Sequence, residues 1–454
     1  MKDKIQAALR ASKADYTEIR LEERESTRVV YRGQDLETAS AVIDRGGIVR
    51  CLVKDGGWGV ATFNDLSDLP HRVRQAYEGA RAIQGEPVEL APTPVSEDTI
   101  AVDLPRDFRG ISMEEKRALA EEYNQILLGF DPRIIDTQAV YIDTFSRVTF
   151  ANSEGTLIEE ERPNITAFFM AVARENGNVQ QAFDVVSKVA GYEVVAGHHA
   201  MAEKVAQRAV DLLAAPKVKG GRYTVICNQR MAGVFVHEAF GHLSEADFVY
   251  ANPQAQEMMV LGRRFGKDIL TIVDDGSLPG LRGSHKYDDE GTPARRNELV
   301  KEGVLVGRLH SRETAAKMGE QPTGNARATG YRYPPIVRMT NTFIEPGSTT
   351  FEDMIADIKE GVYARNWYGG TTSMEMFTFS AGEAFMIRNG KVAELVRPVM
   401  LSGNVFTTLQ NIDAIGNDLD MNEGGGCGKG EQSPLPVSNG SPHIRIQRCL
   451  VGGK

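Results

Sequence analysis

The sequence predicts an α+β protein of two domains. Three observations carry this. β-Branched residues with period-two stretches fill residues 16–63 and 133–189, and turn signals punctuate them at Arg32-Gly33, Gly46-Gly47 and Asp55-Gly56-Gly57. Segments with apolar residues at helical spacing lie between and after these blocks. Strand blocks and helix blocks follow one another without the regular alternation of a doubly wound sheet. A length of 454 residues leaves room for two or three domains.

A short helix opens the chain and leads into the strands of residues 16–63. A helix over residues 68–83 follows. Another starts at Ser112, where Ser112-Met113-Glu114-Glu115 fits a capping box. The hydroxyl and the Glu115 carboxylate would each satisfy a free backbone donor of the first turn. Leu119, Tyr123, Ile126 and Leu127 then recur at helical spacing. Residues 133–189 read as a strand meander, with turns at 152–155 and 176–178. A helix over residues 199–214 precedes "APKVKGG", and this Pro/Lys/Gly segment marks the domain boundary. Residues 1–215 are predicted to form a strand-rich N-terminal domain with flanking helices. Residues 216–454 are predicted to form a C-terminal domain. There "RYTVICN" reads as a strand, "QRMAGVFVHEAFGHLSEADFV" as one or two helices, and the remainder from Gly266 as mostly strand and loop.

Composition excludes several classes. With 41% hydrophobic and 25% charged residues the chain is globular rather than disordered. A net charge of -10 argues against nucleic acid or an anionic membrane as the main partner. No apolar run is long enough to suggest a membrane span, and the charged N-terminus lacks a signal-peptide core. The four cysteines, Cys51, Cys227, Cys427 and Cys449, do not form the framework of a disulfide-stapled domain. The expected setting is reducing and cytoplasmic.

The stretch "VFVHEAFGHLSEAD" holds His237, Glu238 and His242 in an HExxxH pattern. Residues five apart on a regular α-helix diverge by about 140°, against about 40° for residues four apart. A regular helix therefore presents His237 and His242 poorly to one ion. A π-bulge, with one i→i+5 bond, turns the rings back toward a shared face, and Gly241 next to His242 tolerates the distortion. In the four-spaced motif the Glu beside the first His takes a proton from zinc-bound water, and Glu238 occupies that place. The spacing alone is equally consistent with a hydrogen-bonded structural cluster. His198-His199 read as helix-start residues, and His285 and His310 as lone structural histidines.

A catalytic zinc site takes three protein ligands and keeps one position open. The candidate third ligand is Cys427, on a permissive loop with Gly424, Gly425 and Gly426 before it and Gly428 and Gly430 after. Zinc would keep its thiolate deprotonated. Cys51, Cys227 and Cys449 lie in apolar, strand-like runs and read as buried small residues. A glycine-rich anion nest is the other reading of the Cys427 loop, without the Lys-Ser/Thr ending of a phosphate loop.

At these residues the sequence resembles the TldD/PmbA family of metalloproteases, once described as modulators of DNA gyrase. The resemblance rests on His237-Glu238-Ala239-Phe240-Gly241-His242, "YDDEGTPARRNELVKEGVL", "TFSAGEAFMIRNGKVAELVRPVMLSGNVFTTLQNI" and "GGGCGKGEQSPLPVSNGSPHIRI", and covers nearly the whole chain. The family has TldD-like chains that keep the metal motif and PmbA-like (TldE) chains that lack it; this chain is similar to the former. The resemblance implies zinc held by His237, His242 and Cys427, with Glu238 as general base. It also implies cleavage of flexible or unfolded peptides within a two-subunit assembly, the partner being a PmbA/TldE-like chain or a second copy. Family members take part in maturing peptide antibiotics and in degrading an antitoxin. Residues that would stabilise an oxyanion are not readable from the sequence; Arg327, Tyr331 and Tyr368 are among numerous Arg and Tyr residues that read first as structural. The rival expectation is a modulator that acts on gyrase or an antitoxin by contact, with a structural zinc.

Overall fold

The computed structural model describes residues 2–453. The first half is built on one seven-stranded sheet. Helix α1 (Lys2–Arg10) precedes β1 (Tyr16–Arg32), β2 (Asp35–Val53) and β3 (Gly57–Phe63); α2 (Leu69–Ala82), β4 (Glu97–Ile100) and α3 (Met113–Gly129) follow. The long antiparallel strands β5 (Ile134–Asn152), β6 (Leu157–Glu175) and β7 (Asn178–Lys188) complete it, and α4 (His199–Ala214) closes the half. The strand order is β3-β2-β1-β5-β6-β4, with β7 paired to β6. Along β6 buried and half-buried residues alternate, as expected of a strand with one face against a core.

Two pairs of helices cover this sheet. Ile5 of α1 and Val73 and Ala76 of α2 pack on Ile19 and Val49. Tyr123 and Leu127 of α3 pack with Val205 and Ala209 of α4 against Tyr141 and Phe169. Backbone touches backbone at Gly59, where a Cβ would sit 1.9 Å from the Ala76 carbonyl oxygen. Only half of the expected capping box forms. Ser112 Oγ accepts from Glu115 N at 3.2 Å, while the Glu115 carboxylate is taken by Arg106, a charged partner that outcompetes a backbone donor.

The second half holds two larger sheets with a helix between them. β8 (Gly221–Cys227) pairs in parallel with Glu360–Ser373 and antiparallel with Ile444–Gly453, inside a seven-stranded sheet. The other sheet runs through Arg296–Lys301, Ile272–Asp275, Asn341–Ile344 and Ser438–Ser441. Helix α5 (Gln229–Val236) lies between them, buried from Met231 to Val236. It starts at Asn228, whose Oδ1 accepts from Met231 N and Asn366 N, both at 3.0 Å. Among the described residues no helix is long and apolar enough to cross a membrane.

The halves meet through buried ion pairs. Arg50 donates to Glu18 at 2.5 Å and to Glu290 of the second half at 3.1 Å. Its guanidinium stacks on Trp58, 4.4 Å from the ring centre. Arg162 reaches Asp289 at 2.8 Å and Arg312 reaches Glu154 at 2.8 Å. Removing the cation from a buried cluster leaves uncompensated carboxylates. Arg50→Met is therefore expected to destabilise the protein by about 3–5 kcal/mol in urea unfolding. A loss below about 1 kcal/mol, the range of exposed pairs, would show that Arg50 does not hold the halves together.

Candidate metal centre

The path from β8 through α5 fixes where the histidines point. Residues His237–Gly241 form a π-turn, and the backbone N–H of His242 donates to the carbonyl of His237, an i→i+5 bond. The ring centres of His237 and His242 lie 5.3 Å apart. A 3₁₀ turn, His242–Ser244, then ends the helix, and Ser244 Oγ donates to the Phe240 carbonyl at 3.0 Å. Gly241 permits this geometry. A Cβ there would fall 2.0 Å from the sulfur of fully buried Met339.

Cys427 approaches from the far end of the chain. It lies on a two-stranded hairpin, Gly426–Lys429 against Gln432–Pro436, opposite Leu435. The loop expected there is thus a strand, and Cys427 is only 3% exposed, as buried as the other three cysteines. Leu435 and the helix supply the enclosure that its glycine neighbours do not. Arg338, fully buried, donates to the Cys427 carbonyl at 2.6 Å and to that of Gln432 at 3.2 Å. Lys429 donates to the Val337 carbonyl at 2.8 Å and to Asp247 at 2.6 Å.

One donor atom each of His237, His242 and Cys427 lie within 4.8 Å of one another. Cys427 Sγ is 3.3 Å from His242 Nε2. Tetrahedral zinc with ordinary bond lengths sets sulfur and nitrogen about 3.6 Å apart. His237 Nδ1 is buried without a hydrogen-bond partner among the described residues. Two imidazoles and a thiol are donors that suit zinc over hard cations. The residues fit such an ion. Glu238 reaches into the same space, with Oε2 4.0 Å from His242 Nε2, and its side chain is about a third exposed.

The electrostatics separate the proton states. Burial pushes the Cys427 thiol up, but hydrogen bonds and charge from His237 and His242 outweigh it and bring it down to about 5. Burial disfavours a charged His242, but Glu245 and Cys427 raise it to about 11. Sulfur and ring therefore favour a thiolate–imidazolium pair, and a metal would replace that proton.

Glu245 was not singled out by the motif. It is buried, and its Oε2 lies 3.1 Å from His242 Nδ1 and 3.1 Å from Lys429 Nζ. It holds His242 so that Nε2 faces the sulfur, the orienting contact that metal-ligating histidines usually have. Its position three residues after His242 was the available signal. The remaining candidates lie elsewhere. His198 begins α4 and contacts the Val194 carbonyl at 2.7 Å, and His199 pairs with Glu122 at 2.9 Å. His310 is buried beside Thr314 and Glu320. His285 sits between the carbonyls of Gly283 and Gly324. Tyr331 donates to Asp44, Tyr368 packs by Phe183, and Arg327 donates to the carbonyls of Met339 and Pro436.

Gly241→Ala is expected to cost about 1–3 kcal/mol of stability, because the buried Met339 must shift. A melting curve unchanged from wild type would show that the contact is soft.

Comparison with known proteins places this geometry. Residues 220–453 match the profile of the PmbA/TldA metallopeptidase C-terminal domain, 106–213 the central domain and 17–83 domain 1. The chain is 48% identical to metalloprotease slr0863 of Synechocystis sp. over 443 residues, 97% of this chain and 96% of that one. It is 29% identical to the zinc metalloprotease TldD homolog of Saccharolobus solfataricus, over 97% of each. The crystal structure of TldE from Thermococcus kodakarensis shares the fold, with a TM-score of 0.78 at 18% identity over all of both chains. Metalloprotease relatives imply a metal, and His237, His242 and Cys427 could hold one. With a profile covering more than half its length and a relative matched almost end to end, the chain belongs to the PmbA/TldD family of metallopeptidases.

Proposed function

We propose that the protein is a zinc-dependent peptidase of the TldD kind that hydrolyses peptide bonds in flexible or unfolded peptides. The observation that carries this is the meeting of His237, His242 and Cys427 within 4.8 Å, with partly exposed Glu238 beside them. Three protein donors leave a position open, whereas closed structural sites take four. This favours the enzyme over the modulator with a structural zinc. Zinc is supported by the donor set and by the name of the Saccharolobus relative.

His237, His242 and Cys427 would hold the ion. When bound, zinc supplies Lewis acidity, making a water acidic and polarising a carbonyl. Glu238 takes the proton of the attacking water on its carboxylate and later delivers it to the leaving amine. Glu245, backed by Lys429, keeps His242 Nδ1 protonated and Nε2 free to ligate. The exposed side of Glu238 leaves room for an extended chain to approach. The substrate is held in the cytoplasm within a dimer, the second subunit being a TldE-like chain or another copy. The shared fold with a TldE supports a pairing of related chains.

Glu238→Ala is expected to abolish cleavage of a denatured protein while zinc content stays near wild type. Cys427→Ala should lose the metal by elemental analysis. Full activity in the first variant would remove Glu238 from its role, and full zinc in the second would remove the sulfur from the site. Glu245→Ala is expected to weaken zinc binding by about 10–100-fold in a competition with a chelator. Unchanged affinity would limit Glu245 to a packing role.

A further inference from the structure

A cavity of about 890 Å³ lies between the first sheet and the segment 276–295. That volume is in the range of pockets for drug-sized ligands. Much of the wall is apolar, from Ile142, Val148, Leu278 and Pro434 among others. The cavity abuts the metal centre through the hairpin. Pro434, Leu435 and Pro436 line it, and Leu435 is the residue opposite Cys427.

Its charges are unevenly paired. Arg20 faces Glu22 at 3.1 Å and Asp289 at 3.4 Å. Arg162 faces Glu160 at 2.7 Å and Asp289 at 2.8 Å. Arg282 and Arg327 also line the cavity, yet among the described residues neither has a carboxylate within ion-pair distance. Arg282 donates from Nη1 to the Gly425 carbonyl at 2.6 Å, and its Nε is buried without a partner. Arg327, 8% exposed, donates only to the carbonyls of Met339, at 2.6 Å, and Pro436, at 2.8 Å. Burial pulls Arg282 down to about 10; it does the same to Arg327, with only partial relief from Asp289. Backbone carbonyls satisfy donors but do not neutralise a buried cation, which remains costly.

We propose that this cavity binds a carboxylate carried by a peptide, with Arg282 and Arg327 as its cationic anchors. Guanidinium groups match a carboxylate with paired N–H donors, and the apolar walls suit the side chains around it. The choice of a peptide rests on the peptidase reading; the anionic character of the ligand rests on the two unpaired cations. A carboxylate here would sit against the strand that pairs with the Cys427 strand, on the cavity side of the hairpin.

The test measures binding without turnover. Full-length protein carrying Glu238→Ala is titrated into one fluorescent octapeptide lacking acidic residues, made as the free acid and as the C-terminal amide, and into the amide with one internal Glu. The free acid or the Glu-bearing amide is expected to bind at least about tenfold tighter than the plain amide, as charge-assisted hydrogen bonds allow. Which of the two gains shows whether a terminal or a side-chain carboxylate is read. Adding Arg282→Gln should erase the gain, while Arg282→Lys keeps most of it; melting curves establish that each variant is folded. Should Arg282→Gln fail to fold, Arg327→Gln takes its place. Three peptides bound equally well, or a gain that survives loss of the arginine, would overturn the proposal. Because no cleavage is read, absence of peptidase activity would leave this result standing, and equal binding would leave the peptidase reading untouched.

Discussion

The centre of this molecule depends on one extra residue in one helical turn. With a regular i→i+4 ladder His237 and His242 would point apart. The i→i+5 bond from His242 to the His237 carbonyl rotates them onto a common side. Such a turn loosens helical packing, so the surroundings must hold it. They do so with bulk rather than polarity. α5 is buried between two sheets, Met339 fills the space left at Gly241, and Phe240 and Ala239 are fully buried. The distortion is enclosed before any ion is considered.

The sulfur is placed by a different means. Its hairpin is rich in glycine and has few side chains with which to pack. Cations grip its backbone instead. Arg282, Arg338 and Arg327 donate to the carbonyls of Gly425, Cys427 and Pro436, each within 2.8 Å. Charged donors make stronger hydrogen bonds than neutral ones, which suits a segment that has little else to fix it. The same arrangement explains why two of these arginines lack carboxylate partners: their role toward the hairpin needs acceptors, not counter-charges. Their charge is left to act on whatever enters the neighbouring cavity.

Much of this was legible in the sequence where the signal was local. The five-residue spacing, read against helical geometry, showed that a shared ion would need a widened turn, and Gly241 showed where one could form; the spacing alone did not choose between that and a structural cluster. The helix over 113–129 followed from its cap and apolar spacing, and helices were also expected where 69–82 and 199–214 form them. The mixed helix and strand composition followed from the alternation of blocks. Failures came where a long-range partner competed with a local one. Glu115 turned to Arg106 instead of its own cap. Cys427 was read as a loop residue because its enclosure comes from Leu435 and from a helix some 190 residues earlier in the chain. Arg338 and the cavity carried no signal at all, since neither a motif nor a period marks a residue that acts on distant carbonyls. Glu245 stands between these cases: its spacing from His242 was visible, but its burial against Lys429 was not.

Charge balance ties these parts together. Burial alone would raise the Glu245 carboxyl, yet His242 and Lys429 hold it below its usual range. Lys429 shares that carboxylate with His242 and also binds Asp247, so the acceptor that orients the ring is itself held in place. Lys429 lies two residues beyond Cys427, which makes the sulfur and the histidine answer to one side chain. Moving the hairpin would loosen both. Under the proposed reading a dication held by two neutral rings and one thiolate keeps a net positive charge. The arginines gripping the hairpin add to that field without competing for the donors. In such a centre an ion held by His237, His242 and Cys427 would draw electron density from a water oxygen, while the partly exposed Glu238 carboxylate would accept the proton.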